Sequence, residues 1–441
     1  MQIKFEKFVY LQIFLYLCTR KMKEMYRNIG KLLSANIFAQ VLGLAVYPIL
    51  TRLYAPDDFG LLNLFLSIGG ILALLSTSEY QSAILLPADE KEAAGISRVA
   101  LRLVGAWVLL IALTIPFAGP IASVFKAPSL SQYYWMLVPY VALMGAWAVY
   151  NAWLTRHQAF GRISAYQVNQ SVTGALTKLL FGWKGWLRGG LIWSSVLAPL
   201  IALGCAVGRS REAFRAMWQK ADQTPRELAY AYRRFPLFTM PRSLVNNLSG
   251  NIPALLLTPY FGLHQMGFLA MAMTLAFRPI TMITSSIYQV LFEHVAQSVR
   301  ELQPVWDNLS RRWLQLAAVV VPTMGVLTVI MPWLVRILLG DGWDETATLI
   351  RYMMPWLTCV FLVSPLAFIS EVFGQQKLFL GIEIVYLILR VAAMAAGIYL
   401  HSFAWAIILM SAAGTLVLLF QLGIYILFLR RYENGLTQTG K

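Results

Sequence analysis

Eight ionisable side chains fall inside long apolar stretches of this 441-residue chain. They are the cations Lys178, Arg242, Arg278, Arg351 and Arg390 and the anions Glu79, Glu371 and Glu383. Holding such a group in hydrocarbon costs about 2.5 kcal/mol or more, so each needs a counter-charge, a wet cavity or a path to the interface. Arg242, Arg351, Glu79 and Glu371 stand near the ends of their stretches, close enough to the interface for a side chain to reach it. Lys178 and Arg278 stand deeper. Arg278, in TLAFRPI, follows Thr274 by four residues and precedes Thr281 and Ser285 on the same helical face, which makes a polar track with a cation in it. Glu383 and Arg390 lie two turns apart on one face, a spacing suited to mutual or interhelical charge compensation.

An interior with more cations than anions favours an anionic ligand. Arginine suits phosphate, because its planar fork donates two parallel hydrogen bonds. Arg278, with Lys178 and Arg242 as helpers, is therefore a candidate diphosphate site. Asn36, Gln40, Gly43 and Tyr47 fall at steps of 4, 3 and 4, on one face of a helix. Asn36, Gln40 and Asn247 are candidate contacts for sugar hydroxyls, although such stripes also serve plain helix packing. Gln167, Ser171, Gly174 and Lys178 form a similar stripe. Trp147, Tyr150 and Trp153 suit stacking on pyranose rings or a membrane-interface belt. Glu383 and Glu79 are the intramembrane acids available for coupling to a cation gradient.

The elements that must hold these groups are membrane helices. Hydrophobic residues make up 59% of the chain and charged ones 13%, against roughly 25% charged in a soluble domain. The apolar stretches predict spans near 32–54, 60–86, 99–121, 133–155, 163–183, 189–208, 237–260, 265–292, 313–339, 347–372, 378–400 and 402–429. Connections on one side hold clusters such as Arg209, Arg211, Arg215, Lys220, Arg226, Arg233 and Arg234. Those on the other side hold only Arg52, Lys126, Lys184, Arg188 and Arg336. The positive-inside rule then makes the first side, and both termini, cytoplasmic. Most of the basic excess behind the net charge of +16 reads as topology, and its distribution argues against nucleic acid.

Residues 50–67, LTRLYAPDDFGLLNLFLS, align without a gap with 257–274, LTPYFGLHQMGFLAMAMT, at an offset of 207. Leu50, Thr51 and Gly60 recur as Leu257, Thr258 and Gly267, and the first stripe recurs as Ser243, Asn247, Gly250 and Ala254. Six spans separate the copies, so both enter the membrane from the same side. The expected fold is an all-α integral membrane protein of about twelve helices, in two six-helix lobes related by a pseudo-two-fold axis along the membrane normal. The organisation reads as an N-terminal extension at 1–25, an N-lobe at 26–208, a cytoplasmic linker at 209–236, a C-lobe at 237–430 and a tail at 431–441. The extension suits an interfacial helix or an upstream start, with Met22 or Met25 as alternative beginnings.

Other chemistry finds little support. Cys18, Cys205 and Cys359, and His157, His264, His294 and His401, have no metal-ligand spacing, and there is no GxxxxGK[ST] loop, so no cofactor is implied. Asp57-Asp58 stands where a lipid-dependent glycosyltransferase would place acids, but Asp58 precedes the Phe-Gly of the next span and suits helix capping.

The segments YPILTRLYAPDDFGLLNLF, EYQSAILLPADEKEA and NAWLTRHQAFGRISAYQVNQS resemble the polysaccharide-transporter branch of the multidrug/oligosaccharidyl-lipid/polysaccharide exporter superfamily, over essentially 25–430. That branch holds the Wzx-type O-antigen and exopolysaccharide flippases. The resemblance implies two lobes around a cationic cavity in the bacterial inner membrane. It implies translocation of an undecaprenyl-diphosphate oligosaccharide, with membrane lipids and the pathway's polymerase and chain-length regulator as partners. One departure is Glu79-Tyr80-Gln81, where relatives often carry an arginine before AILLP. An ion-coupled drug exporter or a lipid II flippase of the same superfamily is the nearer alternative, and a membrane glycosyltransferase or polymerase the more distant one.

Overall fold

In the computed structural model, residues 34–219, 221–301 and 303–439 are described. The N-terminal extension at 1–25 and the start of the first expected span lie outside them. The described residues form helices and turns and no strand. Ten helices among them are long and apolar enough to cross a bilayer. One of these runs contains two helices. Gly262 adopts φ 80° and ψ 171°, a conformation open essentially to glycine alone, and divides the 61-residue run Met240–Arg300. Counting that run as two and including the more polar Phe160–Trp183, twelve long helical segments can be labelled.

These are α1 (Ser34–Leu53), α2 (Pro56–Thr77), α3 (Glu90–Leu113), α4 (Leu137–Arg156), α5 (Phe160–Trp183) and α6 (Leu187–Arg209). The second six are α7 (240–261), α8 (263–300), α9 (Trp306–Leu339), α10 (Asp344–Val363), α11 (Gln376–Tyr399) and α12 (Phe403–Thr439).

Local chemistry moves several ends away from the hydropathy boundaries. α2 stops at Thr77 rather than near 86, because Ser78 and Glu79 take positive φ values of 47° and 61°. The carboxylate of Glu79 then accepts bonds from Gln81 and Ser82, closing its own turn. α3 starts at Glu90, not near 99, because Asp89 caps it by accepting the Glu92 N–H at 3.2 Å. Asp58 serves the start of α2 from inside the helix, with Pro56 in the first turn. Its carboxylate accepts the Ala55 N–H at 3.0 Å, so it acts three residues in and not as the residue before the helix.

The connection between α6 and α7 is a pair of short helices, Arg211–Ala216 and Pro225–Ala231. The second docks on the N-terminal half. Leu228 is buried there, Tyr80 donates its hydroxyl to the Ala229 carbonyl, and Tyr232 donates to Glu92. Burial and the Glu92 carboxylate both push the Tyr232 hydroxyl above its ordinary pKa.

Two cores lie within α2–α6, and a third around α10–α12 with the end of α8. The largest core crosses between halves. Val46 and Leu50 of α1, with Tyr54 just after it, pack with α8, α9 and α10, while Leu255 and Leu263 pack on the core of the first half. α10 is central and α9 peripheral, since most of the apolar stretch within Asp344–Val372 is buried and little of that within Trp306–Leu339.

Candidate functional site

The two sequence copies meet each other. Gly60 of α2 lies so close to α8 that a Cβ would collide with the Leu263 carbonyl, and a Cβ on Gly267 would collide with that of Pro56. Gly60 and Gly267, and Pro56 and Leu263, correspond at the offset of 207, so the contact is reciprocal. Small residues let helix backbones approach this closely. The same offset separates Asp57 and His264, whose Oδ2 and Nδ1 are 2.7 Å apart. Trp343 sits edge-on against Phe59 and Phe268, with ring centroids 5.5 and 5.7 Å away, and donates its indole N–H to the Thr51 carbonyl at 3.2 Å. This end of the bundle is shut.

Deeper between the halves lie two polar cavities. One, of about 300 Å³, is lined from the first half by Gly43, Tyr47, Gln170, Ser171, Lys178 and Ser195, among others. The second, of about 510 Å³, is lined by Asn63 and Ser67 of α2, Asn246 and Ser249 of α7, Trp356 of α10, and Tyr386 and Arg390 of α11. Arg278 lines both. Its guanidinium lies 5.5 Å from the centroid of the Tyr47 ring and packs against Gly43, where no side chain stands in its way. Lys178 is held by its own backbone too, since its carbonyl accepts the Tyr54 hydroxyl at 2.7 Å.

An apolar groove of about 510 Å³ adjoins the first cavity and shares Tyr47 with it. Its walls include Pro279 and Ile283 of α8, Val319 and Met324 of α9, and Met354 of α10.

Of the residues singled out from sequence, Arg278 and Lys178 share a cavity, and Gly43 and Tyr47 of the first stripe join them. Arg242 is exposed and lines neither cavity. Gln40 and Asn36 are half-buried nearer the start of α1, and the Gln40 carboxamide oxygen is buried without a protein partner. Asn247 is turned to Asn251, which donates to its side-chain oxygen at 3.0 Å, while its neighbour Asn246 lines the larger cavity. Glu79 is occupied within its turn, and Glu383 is exposed.

Three readings are corrected. Among the described residues no ion pair joins Glu383 and Arg390, because the arginine is 5% exposed and directed to α7 while the glutamate faces outward. Tyr150 and Trp153 are buried in a core of the first half, and Trp147 stacks on Tyr166 at 3.3 Å, so this aromatic group lines neither polar cavity. Asp57 is the partner of His264, a pairing that residues so far apart in sequence did not disclose. No group of three or more His, Cys, Asp or Glu residues fit to hold a metal occurs among the described residues.

Arg390, Asn63 and Ser67 went unassigned to the cavity. Tyr386 and Arg390 are four apart on α11, and that aromatic-cation spacing was the available signal.

An exposed contact between a carboxylate and an imidazole is worth about 1 kcal/mol or less, so Asp57 and His264 tune the closed end and do not dominate it. The expected result for Asp57→Lys is a two- to fivefold faster reaction of a cysteine placed at Asn63 with an impermeant thiol reagent added at that end. Adding His264→Asp should restore the slow rate. The assay needs Cys18, Cys205 and Cys359 changed to Ser. Equal rates in all variants would remove the pair from the closure.

A two-lobed helical bundle with a cationic central cavity is the architecture of a multi-pass membrane transporter class. The chain belongs to the polysaccharide biosynthesis protein family, whose model matches residues 49–348. It is 22% identical, over 73% of its length, to the "Succinoglycan biosynthesis transport protein ExoT" of Rhizobium meliloti (strain 1021), and spans 64% of that relative. Its fold is similar to the lipid II flippase MurJ in an inward closed conformation, with a TM-score of 0.71 and 12% identity, covering 91% of this chain and 90% of that one. It is also similar to an inward-facing multidrug resistance MATE family transporter of the MOP superfamily, with a TM-score of 0.67 and 14% identity, covering 93% and 96%.

Proposed function

We propose that this chain is a flippase that moves an undecaprenyl-diphosphate-linked oligosaccharide from the cytoplasmic to the periplasmic leaflet of a bacterial inner membrane, for O-antigen or exopolysaccharide synthesis. The single observation that carries the reading is Arg278, one cation lining two polar cavities between the halves. A diphosphate is the group such a fork binds best, and Lys178 adds a second positive charge in the smaller cavity. The family and the succinoglycan transport relative support a polysaccharide pathway.

Transport proceeds by alternating access. Twelve spans form two six-helix lobes about a pseudo-two-fold axis along the membrane normal, a reading supported by the reciprocal contacts of Gly60 and Gly267. Both termini are cytoplasmic by the charge of the connections. The end held by Asp57 and His264 is then the periplasmic one. The polyprenyl tail lies in the apolar groove of α1, α8, α9 and α10, because that groove shares Tyr47 with the diphosphate cavity and α9 borders lipid. Rocking of the lobes presents the sugars to the periplasm, where the pathway's polymerase would take them. Glu79 and Glu383 remain the acids to test for ion coupling.

The test is leaflet exposure of a lipid-diphosphate oligosaccharide in proteoliposomes, read with an impermeant sugar-modifying enzyme. The expected result is protein-dependent exposure. Extension or cleavage of the sugar would instead make the chain an enzyme. Drug efflux from the same vesicles without lipid exposure would make it an exporter of the multidrug kind.

A further inference from the structure

Arg390 has a structural duty and a spare capacity. Pro253 has no N–H, so the Ser249 carbonyl four residues earlier in α7 loses its helical donor. Arg390 reaches across from α11 and donates to that oxygen at 2.7 Å. This bond uses one of five guanidinium N–H groups. The Nε is buried without a partner, and no carboxylate pairs with the side chain among the described residues. The charge is bracketed by the rings of Trp356 and Tyr386, whose centroids are 5.3 and 5.9 Å away. A buried guanidinium with no carboxylate partner among the described residues, on the wall of a cavity of about 510 Å³, is suited to seat an anion.

The seat is separate from the one built by Lys178. Lys178 comes from α5 and Arg390 from α11, the fifth helix of each half, and they line different cavities with Arg278 shared between them. We infer that Arg390 binds a carboxylate carried by the sugar portion of the substrate, while Arg278 and Lys178 hold the diphosphate. The lining suits an acidic pyranose. Asn63, Ser67 and Asn246 offer hydroxyl partners, and Trp356 offers a flat apolar face. This inference rests on the flippase reading and makes the C-terminal half the side that selects acidic oligosaccharides.

Removing Arg390 outright would also orphan the Ser249 carbonyl, so the test separates the two duties. Pro253→Ala returns the missing N–H to α7, and Arg390→Gln is then made in that background and compared with Pro253→Ala alone. The probes are two synthetic undecaprenyl diphosphates, one bearing a glucuronosyl-glucose disaccharide and one a glucosyl-glucose disaccharide. Binding is measured in nanodiscs and flipping in proteoliposomes. The expected result is an about tenfold loss of affinity for the acidic lipid and less than about twofold for the neutral one, with partial rescue by Arg390→Lys. Equal losses would assign Arg390 to the shared diphosphate or to structure, and overturn the inference. No loss for either would overturn it too. A parent protein that binds the acidic lipid preferentially but flips neither would sink the flippase reading and leave the anion seat standing.

Discussion

With valine at Gly60, the end of the bundle at Asp57 and His264 no longer closes, and a cysteine at Asn63 becomes open to reagent added at that end. The valine side chain points at the Leu263 carbonyl, a rigid backbone atom that no rotamer change can move aside. Overpacking of this kind costs about 1–3 kcal/mol, which shifts the balance of closed and open states roughly 5- to 150-fold. Transport should fall in proportion, because a cycle that cannot shut one gate cannot move a head group in one direction. Gly267→Val should do the same through the Pro56 carbonyl. The two act on one crossing, so the double variant should be little worse than either single one. Valine variants that fold, transport and stay closed to reagent would show that α2 and α8 do not form the gate.

Replacing Arg278 by alanine should lower lipid-diphosphate flipping roughly ten- to a hundredfold, the worth of losing hydrogen bonds to a charged group of about 1.5–3 kcal/mol. The loss should be shared by acidic and neutral oligosaccharides, since the diphosphate is common to both. Arg278→Lys keeps the charge and loses the fork, and should fall between wild type and alanine. Gly43 supplies an independent check. The guanidinium rests in the space that a side chain at this position would fill, so Gly43→Val should displace Arg278 and reproduce part of the loss without touching its charge. A folded Arg278→Ala protein with full activity would remove the diphosphate assignment. Activity lost in Arg278→Ala but unaffected by Gly43→Val would separate the charge from its seat beside α1.

The ordering of the two effects follows from what each residue touches. Gly60 and Gly267 face backbone, which does not yield, whereas Arg278 faces a cavity in which Lys178 retains part of the positive field. The gate variants therefore act on every substrate and the cation variants on anionic ones.

Much of the architecture was legible from the chain alone. Apolar stretches long enough to span a bilayer are a local property of the chain, and they carry the membrane class and the long helices. Lys178 and Arg278 stood out because a charge in hydrocarbon is costly wherever the helix ends up. Helix ends were less legible, since Asp89, Ser78 and Glu79 set them through capping and backbone angles that hydropathy does not register. Only the tertiary structure decided which polar residues share a cavity. Asn246 lines it and Asn247 does not, because one residue step turns a side chain by about 100° around a helix, and packing chooses which face looks inward. Only packing, too, brought Arg390 to the carbonyl that Pro253 left free and Asp57 to His264. Such pairings depend on how distant helices cross, and helix crossings are set by close contacts such as Gly60 with Leu263, which no single stretch of sequence contains.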